Sequence, residues 1–197
     1  MKPLWSRAAE YAQLEMDRDQ IDLMTRYREW LIGEGITAGG IGPGEASRVD
    51  RRHLADSLLF ATQLGDVDEV WDLGTGVGLP GIPLAIVSPG THFRLIDRSR
   101  RRIDLLRRVV RILDLDNCQV VHGEMADLDG TTPAMVSRAS LVPTELTSVV
   151  ERHLQPGGVA VVGGSWQTKP DQPGWSAIEI PPEVLDQPVW LLIMRRQ

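Results

Sequence analysis

The sequence predicts an α/β fold, namely a mostly parallel, doubly wound sheet of seven strands with an antiparallel edge and an N-terminal helical extension. From Val70 onward, short apolar segments typical of strands alternate with amphipathic segments typical of helices. Such alternation indicates a parallel sheet covered by helices. The last two predicted strands have no helical segment between them, which indicates an antiparallel hairpin at one edge of the sheet.

The individual elements follow from local patterns. Strands are predicted at 70–73, 93–96, 119–122, 134–136, 159–162, 177–180 and 189–194, helices at 80–87, 99–113 and 143–154, and a turn at 155–158. The helix at 99–113 has the clearest pattern, because Ile103, Leu106 and Val110 recur at helical spacing with charged residues between them.

The first 50 residues are predicted to form a unit of their own. A helix from about residue 3 to residue 32 is indicated by Met24, Tyr27 and Leu31, which recur at steps of three and four. Six glycines and Pro43 then predict a loop over 33–50, long enough for an entrance or a lid. A further helix is predicted over 51–64. We therefore expect an extension at 1–50 and a main domain at 51–197.

Composition excludes several classes of protein. No apolar run approaches the roughly 20 residues of a membrane-spanning helix, and the first ten residues lack the apolar core of a signal peptide. The single cysteine, Cys118, rules out an internal disulfide and is typical of a reducing compartment. The four histidines are scattered, and no Cys/His pair has the spacing of metal ligands. We expect a cytoplasmic protein without a metal site or a membrane partner.

Positive charge is concentrated in one segment. Between Arg98 and Arg111 there are seven arginines and one acidic residue, whereas the whole chain has a net charge of −6. This segment either meets RNA phosphates or forms the solvated outer face of an amphipathic helix, and the sequence leaves both interpretations open. The negative overall charge does not favour a DNA-binding protein. The sequence carries no signal of oligomeric state.

A glycine-rich turn follows the first predicted strand. The segment Asp72-Leu73-Gly74-Thr75-Gly76-Val77-Gly78 lies at the edge where doubly wound sheets bind their ligands. Glycines at this place let a ligand approach the backbone closely. The GxGxxG spacing of 76–81 is also that of dinucleotide-binding proteins, so the spacing alone is not specific.

Two features favour S-adenosylmethionine (SAM) over a dinucleotide. Asp72 precedes the glycines, where its carboxylate can reach the amino group of the methionine moiety. Pro80 and Pro83 deprive the start of the next helix of amide donors that a pyrophosphate would need. The sequence therefore predicts a class I SAM-dependent methyltransferase fold, with an NAD-linked reductase as the alternative.

Further acidic residues extend the predicted cofactor site. Asp97 ends the second strand, where a carboxylate can accept both ribose hydroxyls. Glu124 follows the third strand and can accept from the exocyclic amine of adenine, while the backbone of Met125 and Ala126 can pair with the ring edge. For each acidic residue the alternative is an ordinary solvated loop carboxylate.

Three segments resemble the RsmG/GidB family of bacterial methyltransferases. They are Arg52-His53-Leu54-Ala55-Asp56-Ser57-Leu58, the sequence DLGTGVGLPGIP at 72–83, and Ser137-Arg138-Ala139. Members of this family methylate N7 of a guanine in small-subunit ribosomal RNA. The resemblance therefore implies SAM as the cofactor and 16S rRNA or the small ribosomal subunit as the partner. It also implies that SAM is touched or framed by Gly74, Leu79, Met125, Ala126 and Arg138.

The chain departs from the family pattern at three places. Gly35-Ile36-Thr37 stands where the family usually has Asn-Leu-Thr, Glu124-Met125-Ala126 where it has Arg-Ala-Glu, and Gly163-Gly164 where it has Lys-Gly. The first and third lie on the side where substrate would enter. Two alternatives therefore stay open, a diverged methyltransferase acting on a small molecule or another RNA, and a non-catalytic SAM-binding protein.

Methylation of guanine N7 needs no general base, because N7 offers a lone pair and loses no proton. Catalysis would consist of positioning the nucleophile and the methyl donor in line, so we assign no catalytic residue. The candidates for positioning are Arg52, His53 and Arg138. The alternatives are a structural hydrogen-bonding role for His53 and an ion pair with a helix acid for Arg138.

Overall fold

The computed structural model describes residues 3–138, 143–164 and 168–197, and its framework is one sheet of seven strands. The strands are β1 (Glu69–Leu73), β2 (His92–Asp97), β3 (Cys118–His122), β4 (Thr132–Arg138), β5 (Leu154–Gly163), β6 (Ser176–Ile180) and β7 (Val189–Arg195). Their order across the sheet is β3-β2-β1-β4-β5-β7-β6. Strands β1 to β5 run parallel, and β7 pairs antiparallel with both β5 and β6. The predicted parallel sheet with an antiparallel edge is confirmed.

The helices are α1 (Ser6–Tyr11), α2 (Arg18–Trp30), α3 (Asp56–Leu58), α4 (Ala61–Leu64), α5 (Gly81–Val87), α6 (Arg100–Leu113), α7 (Pro143–His153) and α8 (Pro182–Leu185). Short 3-10 segments occupy Pro43–Arg48 and Met125–Asp127, and π-helical segments occupy Leu31–Gly35 and Val49–Ala55. The predictions for α5, α6 and α7 are confirmed to within one residue. The helix predicted over 51–64 is instead divided into a π-helical segment and two short helices. Within the described ranges, no helix combines the length and the apolar character needed to cross a bilayer.

The single helix predicted from residue 3 to residue 32 is wrong, because the chain forms α1 and α2 with a break between them. Gln13 lies in the break with a φ of 55°, a left-handed conformation that no helix interior adopts. Asp17 then starts α2, since its carboxylate accepts from the Gln20 amide at 2.8 Å. The Gln20 side chain in turn accepts from the Asp17 amide at 3.0 Å. This reciprocal cap is a helix-start signal that the apolar spacing alone did not reveal.

The segment predicted as a loop at 33–50 is largely helical, through the π-helical and 3-10 segments that it contains. Its glycines serve close packing. A Cβ atom at Gly40 would lie only 2.1 Å from the Val77 Cγ1 atom of the glycine turn. Tyr27 and Leu31 of the N-terminal extension share one hydrophobic cluster with Val70 and Leu95 of the sheet. The division of the chain at residue 50 stays a prediction.

The turn predicted at 155–158 lies inside β5 as an irregularity. Thr132 of β4 pairs with Leu154, but Ala134 pairs with Val159, so the β5 strand carries extra residues at this point. Gly157 adopts a φ of 79° there, which a glycine does without strain. Strand β5 is therefore longer than the predicted 159–162.

The two faces of the sheet carry separate hydrophobic clusters, because alternate residues of a strand point to opposite faces. On β1, Val70 belongs to the cluster that contains Leu106 of α6, whereas Trp71 and Leu73 belong to the cluster that contains Leu146 of α7. Helices thus pack on both faces of the sheet. The predicted site residues lie at the carboxyl ends of the parallel strands and in the connections that follow them.

Candidate functional site

The carboxyl ends of β1, β2 and β4 meet at the centre of the sheet and bring the predicted residues together. The backbone amides of Gly74 and Thr75 donate to the Ile96 carbonyl at 2.9 and 3.0 Å, so the glycine turn leans over the end of β2. On the other side, the Ser137 hydroxyl donates to the Leu73 carbonyl at 2.9 Å. Three strand ends are therefore joined within one hydrogen-bonded region. Ala139, the last residue of the Ser-Arg-Ala segment, lies outside the described residues.

The glycines of the turn have different structural roles. Gly74, Gly76 and Gly78 have φ values of 70°, 64° and 104°, all in the range that favours glycine. A Cβ atom at Gly78 would lie 2.3 Å from Ile82 Cδ1, whereas a Cβ atom at Gly76 would meet nothing within 4 Å. Gly78 is thus needed for packing. Gly76 exposes bare backbone to open space, where a ligand can approach. Leu79, the last predicted residue of the turn, is buried.

Asp72 is buried below the turn and stabilises it through two hydrogen bonds. Its Oδ2 atom accepts from the Thr75 hydroxyl at 2.6 Å and from the Gly81 amide at 2.7 Å. The side chain is fully buried, and burial raises its pKa to about 7 despite these two hydrogen bonds. The Oδ1 atom is buried without a hydrogen-bond partner among the described residues. One oxygen therefore holds the turn in shape, and the other is an unused acceptor at the base of the site.

Asp97 lies between the turn and α6. Its Oδ2 atom accepts from the Gly76 amide at 3.0 Å, and its Oδ1 atom accepts from the Ser99 amide at 2.8 Å. Arg102 Nη1 is 3.5 Å from Oδ2. A carboxylate has about four lone-pair positions, so it retains capacity for further donors. Asp97 thus lies directly beside Gly76, a glycine of the turn that faces open space.

The segment after β3 borders Asp97 as well. The Gly123 amide donates to the Asp97 carbonyl at 3.2 Å, which brings the segment beside the end of β2. The Glu124 side chain is exposed, while Met125 packs partly buried against the cluster that contains Trp71. Ala126 contributes backbone to the 3-10 segment Met125–Asp127. The structure therefore places Gly123 beside Asp97, and the three predicted residues follow directly after it in the chain.

Arg138, at the end of β4, is the centre of a charged cluster formed by Glu45, His53, Asp56 and Arg138. Its Nη2 atom donates to His53 Nδ1 at 3.1 Å, and its Nη1 atom is 3.5 Å from Asp56 Oδ2. Nη1 also donates to the Arg52 carbonyl at 3.3 Å. The Arg138 Nε atom is buried without a partner among the described residues.

The contacts of His53 determine its protonation. A guanidinium only donates, so Nδ1 of His53 accepts, and Nε2 carries the proton that is donated to Glu45 Oε2 at 3.1 Å. Burial and the charge of Arg138 lower the pKa of His53 to about 4. Burial also raises the pKa of Asp56 above its ordinary value, against the opposing charge of Arg138. His53 is thus a neutral link between an acidic and a basic residue.

Sequence reasoning gave an ion pair with a helix acid as the alternative for Arg138, which the pair with Asp56 at the start of α3 fits, but it did not identify Asp56 and it missed Glu45 and Tyr27. Asp56 had a signal, because it lies three residues after His53 in the segment that carries the family resemblance. The Tyr27 hydroxyl donates to the Val77 carbonyl at 3.0 Å and so ties α2 to the glycine turn. No local pattern distinguishes Tyr27 from other apolar positions of α2, because its partner lies 50 residues away.

At Gly163, where the chain departs from the family pattern, a neighbouring side chain fills the space that a longer residue would need. A Cβ atom at Gly163 would lie 2.5 Å from Cζ of Phe60, so the Phe60 ring occupies the space in which a longer side chain would begin. At the first departure, the Thr37 hydroxyl donates to the Gly33 carbonyl at 2.8 Å and closes a local turn. Neither departure disturbs the contacts of Asp72 or Asp97.

The sequence profile of the family described as "rRNA small subunit methyltransferase G" matches residues 20–169. The chain belongs to this family. The methyltransferase G of Acidothermus cellulolyticus is 37% identical over 137 residues, which are 70% of this chain and 62% of that protein. The methyltransferase G of Mycobacterium leprae is 39% identical over 144 residues, 71% of this chain and 58% of that protein. The chain thus spans about three fifths of the length of these methyltransferase G relatives.

Solved structures show that this member of the methyltransferase G family has the class I methyltransferase fold. The precorrin-6y C5,15-methyltransferase of Geobacter metallireducens aligns with a TM-score of 0.52 at 16% identity, over 81% of this chain and 91% of that one. Geranyl diphosphate C-methyltransferase of Streptomyces coelicolor aligns with a TM-score of 0.51 at 22% identity, over 61% of this chain and 48% of that one. At such identities the likeness concerns the fold alone.

Proposed function

We propose that the chain is a cytoplasmic SAM-dependent methyltransferase that transfers a methyl group to N7 of a guanine in 16S rRNA. The observation that carries the proposal is the junction of Gly76 and Asp97, where a bare backbone faces open space beside a buried carboxylate. This junction lies at the carboxyl edge of a class I methyltransferase sheet, in a chain of the methyltransferase G family.

The residues of the junction fit SAM. Asp97 retains lone pairs for the ribose hydroxyls, and Gly76 leaves room for the ligand beside it. Asp72 Oδ1 is a buried acceptor that lacks a donor, as expected where a cationic amino group binds. Met125, two residues after the Gly123 amide that donates to Asp97, offers a partly buried apolar side chain for the adenine ring. When bound, SAM would supply a methyl group activated by a sulfonium.

The site residues also suit an acceptor atom that loses no proton. The carboxylates of Asp72 and Asp97 accept from protein donors, and the carboxyl of Asp56 is paired with Arg138. In the proposed complex, donors of SAM take the remaining acceptor positions of Asp72 and Asp97, so none of the three carboxyl groups is left to act as a general base. Methylation at guanine N7 requires none. His53 fixes Arg138 through Nδ1, so the role that we propose for these residues is to orient the acceptor base and to hold its position.

The cofactor part of the proposal is tested by calorimetric titration with SAM and S-adenosylhomocysteine, with NADH as the control ligand. Asp97→Ala is expected to weaken SAM binding at least about tenfold, because a charged hydrogen-bond partner is lost. Asp104→Ala is the matched control, since Asp104 lies on α6 with an exposed side chain and contacts no site residue. Absence of SAM binding, or equal affinity in both variants, would overturn the proposed cofactor site.

The acceptor is tested with small ribosomal subunits from cells that lack this methylation. Tritiated SAM is expected to label 16S rRNA, and strand cleavage specific for 7-methylguanine is expected to locate the label. SAM binding without labelling of these subunits would contradict the rRNA part of the proposal. It would leave the alternative of a methyltransferase for a different acceptor.

A further inference from the structure

We infer that a cavity beside the proposed methyl-transfer site binds a phosphodiester of the RNA substrate, an inference that rests on the proposed function. The cavity has a volume of about 340 Å³ and lies between the N-terminal extension and the start of α6. Its walls include Gly39, Gly40, Arg98, Ser99, Arg101 and Arg102. No acidic side chain is among the described residues that line it.

The arginine-rich segment divides into two parts in the structure. Further along α6, Arg108 Nε lies 3.1 Å from Glu34 Oε2, and Arg107 Nη1 lies 3.9 Å from Asp104 Oδ1. These two arginines have carboxylate partners and are not among the described residues that line the cavity. Their charge is at least partly compensated by the protein itself.

The arginines at the cavity are compensated much less. Arg101 donates to the Ala38 carbonyl, which carries no net charge, and Arg98 has no carboxylate within 4 Å among the described residues. Only Arg102 has an acidic neighbour, Asp97, at 3.5 Å. Three guanidinium groups therefore share one carboxylate. An anion in the cavity would restore the balance of charge.

Guanidinium groups bind phosphate well, because their planar set of donors matches two phosphate oxygens at once, and they bind carboxylates in the same way. SAM contains no phosphate and a single carboxylate, so the cofactor alone does not account for this concentration of arginines. A phosphodiester backbone does, because an RNA substrate carries one negative charge at each nucleotide. The favoured occupant is therefore a phosphodiester of the substrate.

Glycines bring the two walls of the cavity together. A Cβ atom at Gly39 would lie 3.2 Å from Arg101 Nη2, and one at Gly40 would lie 2.1 Å from Val77 Cγ1. The glycine-rich part of the N-terminal extension can therefore contact both α6 and the glycine turn. Through Arg102 and Asp97 the cavity adjoins Gly76, so a phosphate bound there would lie next to the proposed cofactor site.

The test compares Arg98→Gln with Arg108→Gln, two changes that remove the same charge. Binding of undermethylated small subunits is measured over a range of salt concentrations. Arg98→Gln is expected to weaken binding about tenfold and to reduce the slope of log Kd against log salt by about one, as for one lost phosphate contact. Arg108→Gln is expected to change neither quantity. SAM affinity, measured by calorimetry, is expected to stay that of the wild type in both variants.

The other outcomes separate the inference from the proposed function. If the wild type binds subunits and both variants behave alike, the phosphate site is overturned while the proposed function stands. If the wild type binds no subunits, the proposal that rRNA is the substrate is contradicted. Inorganic phosphate is also titrated into the protein, to test for a site that binds a free anion. Tight phosphate binding that the subunits do not displace would show a site for a free anion and would also overturn the inference.

Discussion

The glycine turn and the charged cluster around Arg138 lie side by side at the carboxyl edge, but they are built in different ways. The turn at 72–81 consists of ten consecutive residues, and it is held mainly by backbone amides, the hydroxyls of Thr75 and Tyr27 and the buried Asp72. The members of the charged cluster, from Glu45 to Arg138, contact one another through their side chains. The turn therefore depends on space and backbone conformation, whereas the cluster depends on charge and protonation.

The largest effect is expected from breaking the turn with Gly78→Ala. The methyl group would meet Ile82 at 2.3 Å, at a residue whose φ is 104°. Strain and overpacking together are expected to lower the free energy of unfolding by about 3 kcal/mol. Urea unfolding measures the loss. Gly90→Ala is the control, because a Cβ atom there meets nothing within 4 Å and the free energy should change by less than about 0.5 kcal/mol. Equal losses in the two variants would show that packing at Gly78 is unimportant.

An effect of similar size, but of opposite sign in the two regions, is expected from pH. The pKa of Asp72 is about 7 in the folded protein against an ordinary 3.8, so folding takes up a proton and stability falls as pH rises between these values. The pKa of His53 is about 4 against an ordinary 6.5, so folding releases a proton and stability rises with pH over that window. The two contributions oppose each other between about pH 4 and 6.5.

Two substitutions separate these contributions. Asp72→Asn should remove the fall, so that stability rises more steeply from pH 4 to 6.5, by on the order of 3 kcal/mol relative to the wild type. His53→Gln retains a donor and an acceptor but should remove the rise, leaving stability that falls with pH. Urea unfolding at a series of pH values measures both. Curves parallel to that of the wild type would contradict the assigned protonation states.

The smallest effect is expected from Tyr27→Phe, which removes the tie between α2 and the glycine turn. The Val77 carbonyl would lose its 3.0 Å hydrogen bond, at a cost of about 1 kcal/mol in the free energy of unfolding. SAM affinity should weaken as well, since the turn would lose an anchor. Tyr11→Phe is the matched control, because Tyr11 is exposed. If both variants unfold alike and bind SAM alike, the N-terminal extension does not support the turn.

How much of the site the sequence predicted depends on how far apart in the chain its contacting residues lie. Asp72, Gly76 and Asp97 were predicted from their places at the ends of strands, and the structure brings all three into one region. The orientation of Asp72 was not predictable, because the Gly81 amide that it accepts from is presented only after the turn closes. Glu45 and Asp56 were missed as members of the cluster around Arg138, because their links to Arg138 join residues far apart in the chain, although Asp56 lies in a segment that carries the family resemblance.

The sequence by itself determined the strands, the helices α5, α6 and α7 and the glycine turn, because apolar periodicity and glycine content act over a few residues. Tertiary structure alone decided which carboxylates are buried, which arginines keep uncompensated charge and how the N-terminal extension meets the turn. Burial and ion pairing arise between residues such as Tyr27 and Val77, or His53 and Arg138, that are distant in the chain. Their energies depend on the folded surroundings, so no local pattern encodes them.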